Sequence, residues 1–148
     1  MKHLLLTLFF FAAVANMSSA QSHSTTELFD DWKPLAEKEN ISFEYKVVVC
    51  DFNAGYDEIR VILRVNNNSN QNVHIQWDTE RFVNGECYNC DNVSESHRIL
   101  KVNANETLTG ECSRRTMREL QYYVKFKDRD VRDAMSHIEI KNIIVTPF

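Results

Sequence analysis

The sequence predicts an all-β domain, an antiparallel β-sandwich of about seven strands that carries disulfide bonds. Three observations support this fold class. Apolar residues recur at every second position in several separate segments, a pattern that a helix cannot present on one face. Turn-forming residues separate these segments. All four cysteines follow an N-terminal leader, as they do in disulfide-bonded exported proteins.

The N-terminus has the pattern of a secretory leader. Lys2 precedes an apolar run over residues 4–14, and residues 18–20 are the small residues that a signal peptidase reads. The run is shorter than the roughly 20 apolar residues of a membrane-spanning helix. We therefore predict a signal peptide over residues 1–20, a secreted or periplasmic location, and no transmembrane segment after cleavage.

The chain that follows the leader has the length of one domain. Its first residues are polar and lead to Trp32 and Pro34, where proline forbids a continuous helix. We therefore predict a mobile N-terminal segment over residues 21–36 that ends in an irregular turn. The β-sandwich domain is predicted over residues 37–148.

Alternation predicts the first two strands most clearly. Apolar side chains occupy every second position over residues 41–49 and again over residues 59–65. The residues Asn53, Ala54 and Gly55 mark the turn between them. One face of each strand is thus predicted to lie in the core.

The remaining strands are shorter or less regular. A long loop over residues 83–95 and the phase change between Ile140 and Ile143 interrupt the alternation, and the latter predicts a β-bulge near Lys141. The strands are predicted at residues 73–77, 98–102, 106–110, 120–126 and 137–145. The predicted core includes Val61, Leu63, Ile75, Trp77, Tyr122 and Val124.

Two resemblances extend this interpretation. An inward Trp77 on the third strand and Tyr122 on the sixth resemble the core of immunoglobulin-like domains, although the cysteines are not on the second and sixth strands. The segments YKVVVC, NNNSNQNVHIQW, GECYNC and TGEC, in this order, are similar to small exported proteins of flavobacteria-type bacteria. This second resemblance implies export and transfers no site residues.

The four cysteines are Cys50, Cys87, Cys90 and Cys112. In a sandwich, the first, second and fifth strands bring Cys50 and Cys112 to the same end of the sheet. We therefore predict the disulfides Cys50–Cys112 and Cys87–Cys90. The chain-entropy model assigns roughly 4 kcal/mol to the first and about 2 kcal/mol to the second, because the first closes a much longer loop.

Two alternatives for the cysteines stay open at this point. The crossed pairing joins Cys50 to Cys87 and Cys90 to Cys112. Alternatively, all four thiolates bind zinc, with Cys87 and Cys90 forming one close-spaced pair. Structural zinc sites usually use two such pairs, and Cys50 and Cys112 each stand alone. The preferred interpretation therefore includes no cofactor.

Charge and motif content argue against two classes of function. The formal net charge is −4, and the closest approach to a basic cluster, Arg114, Arg115 and Arg118, is flanked by Glu111 and Glu119. A nucleic acid is therefore not a predicted partner. The histidines lack metal-ligand spacing, and no nucleophile motif or glycine-rich phosphate loop is found. The acidic residues form no recognisable catalytic pair, so we predict a protein that is not an enzyme, with a hydrolase as the last alternative.

Three tyrosines are candidates for a binding surface. Tyr56 lies near the first turn, Tyr88 lies between two cysteines, and Tyr123 is predicted on the outward face of the sixth strand. These rings suit stacking on a glycan or a protein, which are the predicted partners. The sequence also contains the glycosylation sequons of Asn40, Asn67, Asn92 and Asn105, which matter only in a eukaryotic secretory pathway.

Overall fold

The structure is a computed structural model that describes residues 23–25, 27–53, 55–129 and 133–148. The predicted signal peptide, residues 1–20, lies outside the described residues, as does Ala54 of the first turn. The strands in the described ranges are β1 His23–Ser24, β2 Phe29–Lys38, β3 Ile41–Asp51, β4 Asp57–Asn67, β5 Val73–Val83, β6 Glu86–Cys87, β7 His97–Val102, β8 Thr107–Thr109, β9 Gln121–Phe126 and β10 Met135–Pro147. A short helix α1, Val93–Ser96, and a 3₁₀ turn, Arg118–Leu120, complete the elements.

The strands form two antiparallel sheets, which confirms the predicted all-β class. Sheet A has the order β1-β10-β5-β6, with β7 also paired to β5. Sheet B has the order β2-β3-β4-β8, with β9 also paired to β4. All seven predicted strands are present, and β1, β2 and β6 are additional. No helix among the described residues has the length and apolar character to cross a membrane.

The core lies between the two sheets and contains the residues that alternation predicted. The ring of Phe43 on β3 contacts Trp77 on β5 with the ring centroids 5.2 Å apart, so the sheets face each other there. Burial of these side chains drives folding, because each large apolar side chain that is fully buried contributes roughly 1.5–3 kcal/mol to the free energy of unfolding. The predicted core residues are all buried: Val61, Leu63, Ile75, Trp77, Tyr122 and Val124.

The predicted irregular turn at the end of the segment 21–36 is not found, because residues 29–38 form the strand β2. Strand β2 begins at Phe29 and pairs with β3 along its length, with register shifts near Pro34. It is the edge strand of sheet B, where proline loses no interstrand hydrogen bond on the open side. The sheet therefore extends in front of the predicted domain boundary at residue 37.

The predicted β-bulge of the last strand is confirmed. The register between β10 and β5 shifts between Lys141 and Ile144, and Asn142 has a positive φ of 52°. The bulge restores the apolar face, so that Ile138 and Ile143 are both buried although their spacing breaks strict alternation.

The connection between β8 and the 3₁₀ turn has adjacent ends, because Gly110 packs against the backbone of Leu120. A Cβ atom added to Gly110 would lie 2.1 Å from the backbone oxygen of Leu120. Only glycine allows this close approach. Residues 111–117 therefore form an Ω-like loop, a class of compact loop with adjacent ends that is frequently functional. We call these residues the anchored loop.

Gly110→Ala is expected to lower the free energy of unfolding by about 1–3 kcal/mol, because the methyl group meets a backbone atom that cannot rotate away. Urea denaturation of the mature protein under non-reducing conditions measures this change. An unchanged midpoint would show that Gly110 and Leu120 are not in contact in solution.

Candidate functional site

Both predicted disulfides are present. The Cα atoms of Cys50 and Cys112 are 5.3 Å apart, and those of Cys87 and Cys90 are 5.7 Å apart, each with a bonded sulfur pair. The crossed pairing is therefore wrong, and the described residues include no free cysteine. The sulfurs of Cys87 and Cys90 lie within 4.8 Å of a Glu80 oxygen, but neither Cys50 nor Cys112 belongs to that group. A four-thiolate zinc site is not formed, since each sulfur is bonded to another.

The first disulfide ties the anchored loop to the outer face of sheet B. Cys50 has the opposite parity to the core residues Phe43, Tyr45 and Val47 of the same strand, yet it is only 1% exposed. Ile62 of β4 is likewise on the outer face and 2% exposed. The loop is bonded directly above Cys50 through Cys112, which accounts for the burial of Cys50. The face of sheet B that points away from the core is therefore partly covered as well.

A buried carboxylate lies between this loop and the sheet. The side chain of Glu58 is 7% exposed, and its Oε2 accepts hydrogen bonds from Arg60, with Nε at 2.8 Å. Its Oε1 accepts a 2.6 Å hydrogen bond from Arg114 of the anchored loop. Arg60 also donates to Gln121, which in turn donates to the backbone oxygen of Thr116. Charge-assisted hydrogen bonds thus hold both guanidiniums in fixed positions.

Aromatic rings surround the two guanidiniums. Both Arg60 and Arg114 lie over the ring of Phe52, at 4.9 Å and 4.7 Å from its centroid. Phe126 contacts Tyr56 and Tyr123 edge-on, with ring centroids 5.0 Å and 5.4 Å apart. We call this set the arginine–aromatic surface: Phe52, Tyr56, Arg60, Arg114, Tyr123 and Phe126.

Two of the predicted tyrosines meet at this surface. Tyr56 is 45% exposed and Tyr123 is 41% exposed, so each ring keeps area for a ligand. They converge because of a register irregularity between Ile59 and Arg60, which places Phe126 opposite Glu58 on the outer face. The prediction that Tyr123 points outward is confirmed.

The charges of the surface favour ligands that accept hydrogen bonds. A hydrogen bond with Tyr56, followed by the attraction of Glu58, raises the pKa of the Arg114 guanidinium. Partial burial and the Glu58 charge raise the pKa of the Tyr123 hydroxyl. Both groups therefore keep their protons at neutral pH and can donate hydrogen bonds. Two guanidiniums share one carboxylate, which leaves the surface with excess positive charge.

A second aromatic group lies on the same outer face. The ring of Trp32 on β2 is covered by Arg64 at 4.5 Å and Lys46 at 5.1 Å from the centroid. Arg64 also forms a 2.6 Å ion pair with Glu44. Arg64 and Arg60 are four residues apart on β4, or about 13 Å along a strand. The outer face of sheet B therefore carries two cation–aromatic groups along one line.

The third predicted tyrosine is on the other sheet. Tyr88 lies between Cys87 and Cys90 and is 66% exposed, with Arg81 at 5.3 Å from its ring centroid. Asn89 holds this loop, since its side chain accepts from the Arg81 backbone and donates to the Thr79 backbone oxygen. The structure therefore does not add Tyr88 to the arginine–aromatic surface.

The acids and histidines on sheet A are engaged in local pairs. Asp78 accepts from Asn142 and pairs with His97 at 3.0 Å, and these contacts, the Asn142 hydrogen bond first, lower the pKa of Asp78. Lys141 bridges Glu80 and Glu139, which raise the pKa of its ammonium group. His74 and His137 stack on rings, the first on Phe148 and the second on Phe82.

The four sequons differ in accessibility. Asn67 is 1% exposed, and its amide donates to the backbone oxygens of Gln71 and Asn103, so a glycan there would break the local fold. The other three asparagines are exposed: Asn40, Asn92 and Asn105.

Sequence reasoning missed the central charges of the site. Glu58 and Arg60 alternate with core residues as any solvated strand face does, and Arg114 looks like part of a polar connection. Glu58 and Arg114 are 56 residues apart in the chain, and the anchored loop brings them into contact. Phe52 beside the turn gave no distinguishing signal, because single apolar residues are common on protein surfaces.

Comparisons with protein-family models, curated proteins and solved structures found no match for this chain.

Proposed function

We propose that the protein is an exported, non-catalytic binding module that takes an acidic glycan on the arginine–aromatic surface. The observation that carries this proposal is the convergence of the exposed rings of Tyr56 and Tyr123 on the Arg60–Glu58–Arg114 network. Aromatic rings offer apolar faces for sugar rings and hydroxyl groups for hydrogen bonds. Guanidiniums that are already positioned bind carboxylates with directional, paired hydrogen bonds.

The proposed location is secreted or periplasmic. Two disulfides persist in an oxidising compartment and are rare in the cytosol, and they support export together with the leader pattern. In that setting, a rigid module that holds an extracellular or envelope polysaccharide would act as an accessory to larger assemblies.

We further propose that the sandwich is immunoglobulin-like. Trp77 and Tyr122 are buried in its core, as such domains require. The Tyr122 hydroxyl donates to the backbone oxygen of Glu119 at 2.7 Å, which resembles the tyrosine corner of those domains. The disulfides differ from theirs, because Cys50–Cys112 fixes a loop on sheet B and Cys87–Cys90 closes a short loop beside β5.

The proposal predicts that Tyr56→Ala and Tyr123→Ala each weaken binding of polygalacturonate about tenfold, equivalent to about 1.4 kcal/mol, because each removes one stacking face. Isothermal titration of the mature protein measures the affinity. A neutral glucan of similar length should bind more weakly, since it offers no carboxylate to the guanidiniums.

Tyr88→Ala is the matched control, since Tyr88 is an exposed tyrosine of the other sheet. The affinity of the Tyr88→Ala variant for polygalacturonate should equal that of the unaltered protein. The proposal fails if the unaltered protein binds no acidic polysaccharide, or if all three alanine variants lose affinity equally.

A further inference from the structure

A second feature, separate from the arginine–aromatic surface, is the open edge of sheet A at β7. This strand of six residues pairs with β5 along one edge. No other strand in the part of the chain that the structure describes pairs with its second edge. An edge of this length spans about 20 Å and presents backbone donors and acceptors in the spacing of a partner strand.

A cleft of about 300 Å³ runs beside this edge. His97, Arg98 and Ile99 of β7 form one wall, and Arg118 and Glu119 of the 3₁₀ turn form the other. The cleft therefore has a strand edge on one side and charged side chains on both sides. This is the arrangement in which an extended peptide adds to a sheet and is read by flanking side chains.

The cleft carries two guanidiniums without a carboxylate partner. Among the described residues, neither Arg98 nor Arg118 forms a salt bridge, whereas Arg60, Arg64 and Arg81 each have one. Other contacts nevertheless hold both in place. The Arg98 guanidinium lies 5.9 Å from the ring centroid of the buried Tyr122, at the inner side of the edge. Arg98 donates to the backbone oxygen of His97 at 2.7 Å, and the Arg118 Nε donates to the backbone oxygen of Arg114 at 3.0 Å.

The surroundings of the edge are also basic. Lys101 is exposed on the same strand, and its Nζ lies 5.5 Å from the Phe148 ring centroid. The His97 ring is oriented by Asp78. Glu119 is the one acid that lines the cleft. The excess of positive charge within a chain of negative net charge indicates an acidic partner.

We infer that β7 accepts an extended acidic peptide segment of a protein partner as an added strand, with Arg98 and Arg118 binding its carboxylates. Backbone hydrogen bonds to the β7 edge would supply affinity that is independent of sequence. The two guanidiniums would select acidic side chains at alternate positions, since those side chains share one face of an extended peptide. Glu119 would oppose this selection.

The probe is a capped octapeptide that alternates glutamate and valine, titrated calorimetrically into the mature protein at low salt. We expect it to bind and to slow amide hydrogen exchange of β7 residues 97–102. Arg118→Gln should weaken binding about tenfold, and Glu119→Gln should strengthen it, because the first removes an attraction and the second a repulsion. Arg118 is exposed, so its variant is expected to fold, and a thermal melt checks this.

Three comparisons make the test decisive. A lysine–valine peptide should not bind. A glutamate–valine peptide with N-methylated backbone amides keeps the charge but cannot pair with a strand edge, so it should not bind either. Equal binding of the N-methylated peptide, or sulfate binding that depends equally on Arg118, would overturn strand addition in favour of a simple anion site. Absence of binding by the glutamate–valine peptide would overturn the inference altogether.

Discussion

Removing the Cys50–Cys112 disulfide by alanine substitution of both cysteines is expected to lower the free energy of unfolding by about 4 kcal/mol. The bridge joins residues 62 positions apart, so it strongly restricts the unfolded chain. Alanine is the suitable replacement because Cys50 is buried, and a serine hydroxyl there would be desolvated. Urea denaturation of the mature protein measures the change.

The same double substitution is expected to weaken the glycan binding proposed above, because the anchored loop that carries Arg114 loses its covalent attachment. The matched control is the double alanine variant of Cys87 and Cys90. The disulfide that it removes joins residues only 3 positions apart. That variant should lose only about 2 kcal/mol and keep its glycan affinity. Equal destabilisation of the two variants would contradict the argument from loop length.

Glu58→Gln is expected to lower the free energy of unfolding by about 3 kcal/mol, near the lower end of the range for breaking a buried ion pair. The substitution removes the only negative charge that Arg60 and Arg114 share in the network. The cost is held to the lower end because the Arg114 side chain is 46% exposed and can partly solvate its charge.

The matched control for Glu58 is Glu44→Gln. Glu44 pairs with Arg64 on the same face of the same sheet, but both side chains are about a quarter exposed. Its loss should be at most about 1 kcal/mol, as for other solvated pairs. Equal effects of the two substitutions, measured by chemical denaturation at neutral pH, would mean that Glu58 is not buried in solution. A double-mutant cycle with Arg114→Gln isolates the coupling of that pair.

The core strands were predictable because their side chains report burial directly. Over residues 41–49 and 59–65, every second side chain is apolar. Alternate side chains of a strand point to the same face of the sheet, so this pattern predicts one buried face. The bulge in β10 was predictable for the same reason, since Ile140 and Ile143 break the phase. Strand β2 was missed because Pro34 argues against regular structure, and only its position at a sheet edge makes proline acceptable.

The candidate site was predictable only in part. Tyr56 and Tyr123 were identified as candidate ligand-stacking rings, but neither spacing nor composition separates them from Tyr88. The tertiary structure separates them from Tyr88, because Phe126 contacts both Tyr56 and Tyr123, whereas Tyr88 lies beside the other sheet. The edge cleft was not predicted, since Arg98 and Arg118 belong to segments without a shared motif.

By itself, the sequence determined the all-β class and the core faces, because hydrophobic periodicity is a local pattern. It favoured the cysteine pairing that is found, but the crossed pairing and a zinc site were excluded only by the positions of the sulfurs in the structure. Only the tertiary structure decided which charges are buried and which are free. Glu58 and Glu44 both lie outward on neighbouring strands, yet only Glu58 is covered by the anchored loop. Burial of a charge depends on what crosses above it, and that contact comes from a segment 56 residues away in the chain.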